Sequence, residues 1–383
     1  MSSANMTMVL IAGEQSSDEY GAKLIHSIRQ AFPQVHIAVI GGTSMEKAAD
    51  ECIANITHHS PVGIVEQVWH RRKYHRVLDA LERYCESNRI HRVLIMDFPH
   101  YHHKVAKIIQ PYSIPIYTFI TPHFWIWKDK KMAKTIADYS QKIFTIFEEE
   151  YELYRSLHPQ TFFLGHPLLE NLSIEATTQY PNAIRPPVRL GIIPGSRLQE
   201  IRYLLPSMLK VAERFSKDQR TEIVISVADE RLLPTIKAQV EKYDSLAVSY
   251  FDGPLDLCLQ DLHIAMVCAG SATLATVAQD RPAIVLGRIS WLSYFISYFL
   301  LGIRPPFIAI PNIMTGHLLL PEHKQFISIK KVYSDLKSIV DNPRIRDKML
   351  RNFRLFRERF SVDTPIFDRI ADGLKTLEEP SND

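Results

Sequence analysis

The chain has 383 residues, which at roughly 150 per domain suggests two or three domains, each able to bury its own core. Forty-five Lys and Arg against 42 Asp and Glu leave +3 with neutral histidine, too little to make the whole surface a nucleic-acid ligand, so no nucleic acid partner is expected and any basic contact surface is local. Cys52, Cys85, Cys258 and Cys268 are scattered without a CxxC pair, which excludes a disulfide scaffold or a zinc cluster and fits a reducing compartment.

Taken in order, the first apolar run, 8–12, is shorter than a secretory core and has no basic lead, so no standard export is expected. Short apolar runs then alternate with longer segments of helical period, the pattern of parallel sheets joined by crossover helices, and the class is α/β. Strands are predicted over 8–12, 36–40, 93–96, 114–119, 143–147 and 162–164, a six-stranded doubly wound sheet. Periodicity fades between Glu170 and Pro187, where Pro181, Asn182, Pro186 and Pro187 act as breakers. Strands resume over 188–193, 223–227, 247–251, 264–267 and 283–286, followed by helical segments from 329 to 377. The expected division is an N-terminal domain over 1–172, a linker over 173–187, a C-terminal domain over 188–355, and a final helix and tail over 356–383. Two Rossmann-like domains would face a cleft between the carboxyl ends of their sheets, a plan that serves many nucleotide-using enzymes and does not fix the reaction.

Three strand exits carry chemistry. After Gly13, the residues Ser16, Ser17 and Asp18 offer hydroxyl and carboxylate partners to a sugar, and Ser16 with Glu19 has capping-box spacing. At Pro194-Gly195-Ser196-Arg197, Gly195 lets a ligand approach the backbone, Ser196 can bond an oxygen, Arg197 can pair with a diphosphate, and Glu200 can hold Arg197. At Ala269-Gly270-Ser271-Ala272-Thr273, small residues leave a helix N-terminus uncovered, as an anion cradle requires. No Walker pattern follows any glycine run, so ATP hydrolysis is not expected. Asp97, at the end of the run 93–96, puts a carboxylate on the carboxyl edge of the first sheet, where it can act as general base.

Val62, Ile64, Val65, Val68 and Trp69, continued by Val77, Leu78 and Leu81, stand around Arg71, Arg72, Lys73 and Arg76, an aromatic and aliphatic patch with the cations that draw a protein to an anionic membrane surface. The apolar stretch 291–303 is broken by Ser293, Ser297 and Gly302 and is too short to span a bilayer, so it reads as a core helix or a lipid-facing one. His100, His102 and His103 cluster without a carboxylate at a ligand interval, and no metal is assigned.

Together the motifs resemble the lipid-A-disaccharide synthase family over nearly the whole chain. Ala12-Gly13-Glu14-Gln15-Ser16-Ser17-Asp18 with Tyr20-Gly21-Ala22 is similar to its AGExSGDxxGA, Val62-Gly63-Ile64-Val65-Glu66 to its MGxxE, and Asp97-Phe98-Pro99 to its DxPDFN. Thr121 to Trp127 resembles SPSVWAW, Gly165-His166-Pro167 resembles GHP, Pro194 to Glu200 resembles PGSRxxE, Gly270 to Leu274 resembles SGTATLE, and Pro311-Asn312 with Gln325 resembles the late PN…Q element. The resemblance implies a two-domain glycosyltransferase-B fold with the acceptor over the first domain, at Glu14, Ser16, Ser17, Asp18 and Glu66, and UDP on the second. It gives Asp97 the role of base and sets Ser196, Arg197, Glu200, Gly270, Ser271, Thr273, Asn312 and Gln325 around the donor.

The implied reaction is inverting transfer from UDP-2,3-diacylglucosamine to 2,3-diacylglucosamine 1-phosphate, with UDP-sugar as substrate and no cofactor, at the inner face of the bacterial inner membrane. A membrane patch at Val65, Val68, Trp69, Arg71 and Arg72 is expected, and a homodimer is left open. Ser17, His100, His123 and Ala275 depart from the family's glycine, aspartate, serine and glutamate. A lipid-binding relative without activity or with altered specificity, and a soluble UDP-sugar enzyme of the same fold, are the alternatives.

Overall fold

The structure is a computed structural model that describes residues 6–56, 71–98, 101–122, 130–170, 180, 184–295 and 304–375, with only the backbone described at 15, 71–73, 292 and 293. The chain forms two compact units, and the second ends at Ser361, after which the chain rejoins the first from Val362 onward.

The first unit holds seven strands: β1 (Thr7–Ala12), β2 (His36–Gly41), β3 (Glu51–Asn55), β4 (Arg92–Met96), β5 (Ile116–Phe119), β6 (Ser140–Thr145) and β7 (Thr161–Phe163). They lie in the order β3-β2-β1-β4-β5-β6-β7, every neighbour parallel. β1 and β4 are apolar along nearly their whole length because both faces of a central parallel strand are covered. On one face, Val9, Ile11, Val93 and Ile95 meet Val77, Leu78 and Leu81 of the helix Arg71–Ser87 and Val105 and Ile109 of the helix His102–Ile109. Val77, Leu78 and Leu81 are therefore core residues and do not extend the expected membrane patch.

The second unit holds β8 (Val188–Ile193), β9 (Thr221–Ser226), β10 (Val248–Phe251), β11 (Ile264–Cys268), β12 (Ala283–Gly287) and β13 (Glu322–Lys324), in the order β10-β9-β8-β11-β12-β13 and again all parallel. The helix Leu198–Asp218 buries Ile201, Leu204, Leu205, Met208 and Leu209, a stripe at helical spacing. Behind the sheet, Arg357 of the helix Pro343–Phe360 forks onto both carboxylate oxygens of Asp280, with both side chains buried.

Four expectations change. Each sheet gains an edge strand, β3 and β13, whose sequences ECIAN and EHK lack an apolar run because an edge strand has one neighbour and half-exposed faces. The strand expected at 143–147 runs over Ser140–Thr145, since Ile146 and Phe147 are buried beyond the ladder while Ser140 and Lys142 are buried within it. Residue 356 is no boundary, because it lies inside the helix Pro343–Phe360. The last described helix, Ile366–Lys375, closes the first unit: Phe367 packs on Tyr20 and Phe119, and Lys142 donates to the Gly373 carbonyl at 2.9 Å. Most of the expected linker, 173–179 and 181–183, lies outside the described residues.

Candidate functional site

In a doubly wound sheet the strand order reverses once, and the two strands flanking the reversal leave a crevice at their carboxyl ends. The reversal falls between β1 and β4 in the first unit and between β8 and β11 in the second. The exits of these four strands are the ones that carry Gly13, Asp97, the segment Gly195-Ser196-Arg197, and Gly270-Ser271.

In the first unit the Gly13 N–H reaches the Met96 carbonyl at 3.3 Å, and a Cβ on Gly13 would stand 2.6 Å from the Asp97 carbonyl oxygen and 2.4 Å from the Phe98 ring. Only glycine lets the two exits meet this closely. Asp97 is partly exposed and has φ +39°, a left-handed angle uncommon outside glycine, with its N–H turned to the Ile120 carbonyl at 3.0 Å. Burial pushes the pKa of the nearby Tyr20 hydroxyl up, with Glu19 and then the Asp97 carboxylate adding to the rise.

Two neighbours expected to face a sugar are taken up by the backbone. Ser17 is fully buried, accepts from the Glu14 N–H at 3.0 Å and donates to the Glu14 carbonyl, so the helix Gln15–Ala31 starts on a Glu14–Ser17 box and not on the expected Ser16–Glu19 pair. Asp18 is buried and accepts from the N–H groups of Gly42 (2.7 Å), Ser44 and Met45 (3.0 Å each), capping the helix Thr43–Ala48. Both are corrected from acceptor contacts to scaffold residues; Glu14 and Ser16 stay at the mouth of the exit, each partly exposed.

In the second unit Ile193 lies opposite Val267, so the two exits sit side by side. Glu200 is buried and takes the N–H groups of Ser196 (3.0 Å) and Arg197 (3.2 Å) on one oxygen and the Arg197 guanidinium (2.8 Å) on the other. The expected hold of Glu200 on Arg197 is thus present, and the helix start and the cation share one anchor. Gly270, at φ +146°, lets the chain turn into the helix Ser271–Ala278, whose positive end carries the exposed Ser271. Cys268 lies between these exits, its thiol pushed well up by burial and close enough to Glu200 and Arg197 to feel both.

Three expected donor contacts are bonded within their own unit. Thr273 is buried, donating to the Gly270 carbonyl at 2.7 Å and accepting from the Ile310 N–H. Asn312 is fully buried: its amide donates to the Leu320 carbonyl (2.8 Å) and Glu322 (2.7 Å), and its oxygen accepts from the Leu319 and Leu320 N–H groups. Gln325 pairs with both groups of the Ile289 backbone at 3.2 Å. Asn312 thus spends both of its amide N–H groups and both oxygen lone pairs within its own unit and cannot also bind a donor without losing those bonds.

Val65, Glu66, Val68, Trp69, His100 and His123 lie outside the described residues, and of Arg71 and Arg72 only the backbone, the start of a helix, is described. His102 is a buried core residue, with its ring nitrogens on the Tyr139 hydroxyl (2.6 Å) and the Thr118 hydroxyl (3.4 Å). Ala275 is partly exposed, one turn into the cradle helix. Two buried carboxylates escaped the sequence reading. Glu150 ends a run of three glutamates that reads as a solvated helix start, and Glu322 stands in a charged three-residue strand; Glu150 binds three backbone N–H groups and Glu322 two.

A protein-family model described as lipid-A-disaccharide synthetase matches residues 8–356. The chain belongs to the lipid-A-disaccharide synthetase family. It is accordingly a glycosyltransferase of lipid A synthesis. The lipid-A-disaccharide synthase of Francisella tularensis subsp. novicida is 25% identical over 385 residues, covering 98% of this chain and 100% of the relative. Among solved structures, a putative UDP-N-acetylglucosamine 2-epimerase from Listeria monocytogenes aligns with a TM-score of 0.64 at 11% identity, over 99% of this chain and 98% of that one. MurG of Acinetobacter baumannii aligns at 0.56 and 10% identity, over 97% and 100%. At such identities the likeness is one of fold, and the fold is the glycosyltransferase-B type that the family implies. The family match stops at residue 356 and so excludes the returning helix Ile366–Lys375.

Proposed function

We propose that the protein joins UDP-2,3-diacylglucosamine to 2,3-diacylglucosamine 1-phosphate with inversion at the anomeric carbon, releasing UDP and the lipid A disaccharide. The observation that supports this most is the placement of both half-sites at switch points: a partly exposed carboxylate, Asp97, at β1/β4, and an anchored guanidinium beside a helix N-terminus, Arg197 and Gly270-Ser271, at β8/β11. Asp97 accepts the proton of the acceptor's 6-hydroxyl as its oxygen attacks the anomeric carbon. The charge growing on the departing diphosphate is met by Arg197, by the Ser196 hydroxyl and by the positive end of the helix Ser271–Ala278.

The acyl chains of both substrates stay in the inner face of the inner membrane while the sugars enter the protein, and Val65, Val68, Trp69, Arg71 and Arg72 are the proposed membrane contact. Among the described residues no helix is long and apolar enough to cross a membrane. The test is incubation of the purified protein with the two diacylated sugars and mass spectrometry of the product. The disaccharide is expected, and Asp97→Asn, which keeps size and removes basicity, is expected to lower kcat by about 10²–10⁴. No disaccharide from the wild type, or turnover of UDP-N-acetylglucosamine in its place, rejects the reading; an Asn variant within a few-fold of wild type rejects Asp97 as base.

A further inference from the structure

Asp97 and Ile120, neighbours on the carboxyl edge of the first sheet, both hold left-handed backbone angles, φ +39° and +59°. They are bonded to each other, since the Asp97 N–H that reaches the Ile120 carbonyl at 3.0 Å is 3.4 Å from the Phe119 carbonyl. For a β-branched residue such an angle is a true outlier, and it survives only where the surroundings over-determine it. Here they do. The Ile120 side chain is buried, and its N–H donates to the Phe144 carbonyl at 3.2 Å. The next residue, Thr121, gives both its N–H (2.8 Å) and its hydroxyl to one oxygen of Glu150. The other oxygen of Glu150 takes the Ile146 N–H at 3.0 Å and the Phe147 N–H at 3.3 Å, at the exit of β6. Glu150 is 1% exposed, so this carboxyl is devoted to tying the exits of β5 and β6 together. On its far side the Asp97 peptide rests on Gly13, where no Cβ fits.

We propose that Glu150 is a positioning residue for Asp97: by fixing the Ile120–Thr121 peptide it holds the carbonyl that orients Asp97, and so aims the carboxylate at the acceptor hydroxyl. This rests on the reading of Asp97 as the base. Proton abstraction is sensitive to the last ångström of placement, whereas sugar and UDP binding draw on many contacts that Glu150 does not touch. The Glu150 clamp therefore acts on kcat.

Glu150→Gln keeps the size but replaces one acceptor oxygen with an amide donor, which has to face N–H groups at Thr121 or at Ile146 and Phe147. The expected result is a kcat lower by about 10–100-fold, with KM for both sugars and UDP affinity within about twofold of wild type. In an Asp97→Asn background the same substitution is expected to cost no more than about twofold, because a residue that acts through Asp97 has nothing left to aim. Thr121→Val, which removes only the hydroxyl, is expected to show the same split at about three- to tenfold and the same loss of effect without Asp97, and it carries the test if Glu150→Gln does not fold. An unchanged kcat, a KM or UDP affinity that worsens together with kcat, or a full additional loss in the Asp97→Asn background overturns the proposal. A wild type that makes no disaccharide removes Asp97 as base and the proposal with it, and that failure is told apart because it precedes any variant.

Discussion

Gly195→Ala probes the donor half-site at its tightest point. Gly195 has φ +112°, and a Cβ there would lie 2.2 Å from an oxygen of Glu200 and 2.8 Å from its Cβ. Holding alanine in that backbone region costs roughly 1–3 kcal/mol. Moving the Glu200 carboxylate aside forfeits its charge-assisted bond to Arg197, roughly 1.5–3 kcal/mol, and loosens its hold on the Ser196 and Arg197 N–H groups. A net loss of about 4 kcal/mol is expected, which at about 2–4 °C per kcal/mol for a unit of this size lowers Tm by about 10 °C. Calorimetric titration with UDP is expected to show affinity lower by about tenfold or more, since Arg197 loses the partner that aims it. The double variant Gly195→Ala/Glu200→Ala removes the contact with the carboxylate and keeps the one with the residue-200 Cβ, so it recovers only part of the Tm and none of the UDP affinity. Wild-type Tm and UDP affinity in Gly195→Ala would refute the argument that Glu200 anchors this site through the space Gly195 leaves.

Asp280→Asn leaves Arg357 buried without its counter-charge, and chemical denaturation is expected to show a loss of about 3–5 kcal/mol; an unchanged midpoint contradicts the bidentate pair. His102, enclosed beside Tyr139 and Thr118, has its pKa pushed down to about 3 by burial, with His103 adding to the fall. Because the unfolded chain takes up this proton first, the contribution of His102 is whole above about pH 6.5 and is lost as pH falls toward 3, about 2 kcal/mol at pH 5. His102→Gln, which does not titrate, is expected to lose less stability than wild type between pH 7 and 5, and identical losses disprove the assignment. Flotation with anionic vesicles is expected to fall in high salt without vanishing, at about 1 kcal/mol per cation near the surface, and to drop in Trp69→Ser/Arg72→Glu; equal binding to neutral vesicles removes the membrane role from this segment.

The central strands were legible because β1, β4, β8 and β11 are apolar apart from Thr7, Arg92 and Arg189, while β3 and β13 hid as edge strands with polar sequences. The same signal exposed Asp97 and Arg197, the first charges after a buried run, and the crevice rule makes such positions chemical. It misled at Ser17, Asp18 and Asn312. Sequence displays the polar atom but not its partner, and the partners of Asp18 lie 24 to 27 residues away on another loop. Glu150 was hidden for the converse reason: in a run of three glutamates nothing marks which one turns inward, and only the fold brings Thr121 to it.

The chain's return to its starting unit sets the order in which that unit can be finished. Ile366, Phe367, Ile370 and Leu374 are buried, Gly373 is narrow enough for the Phe144 ring to press within 2.7 Å of where its Cβ would be, and Val362 donates to the Leu169 carbonyl. During synthesis the segment 366–375 emerges after every strand of the first sheet and after the whole second unit, so Tyr20, Phe119 and Phe144 wait with an apolar flank uncovered until it does. The half made first is completed last. A fragment ended near residue 172 would keep that flank bare, and deletion of residues 366–375 is, in physical terms, a lesion of the amino-terminal core.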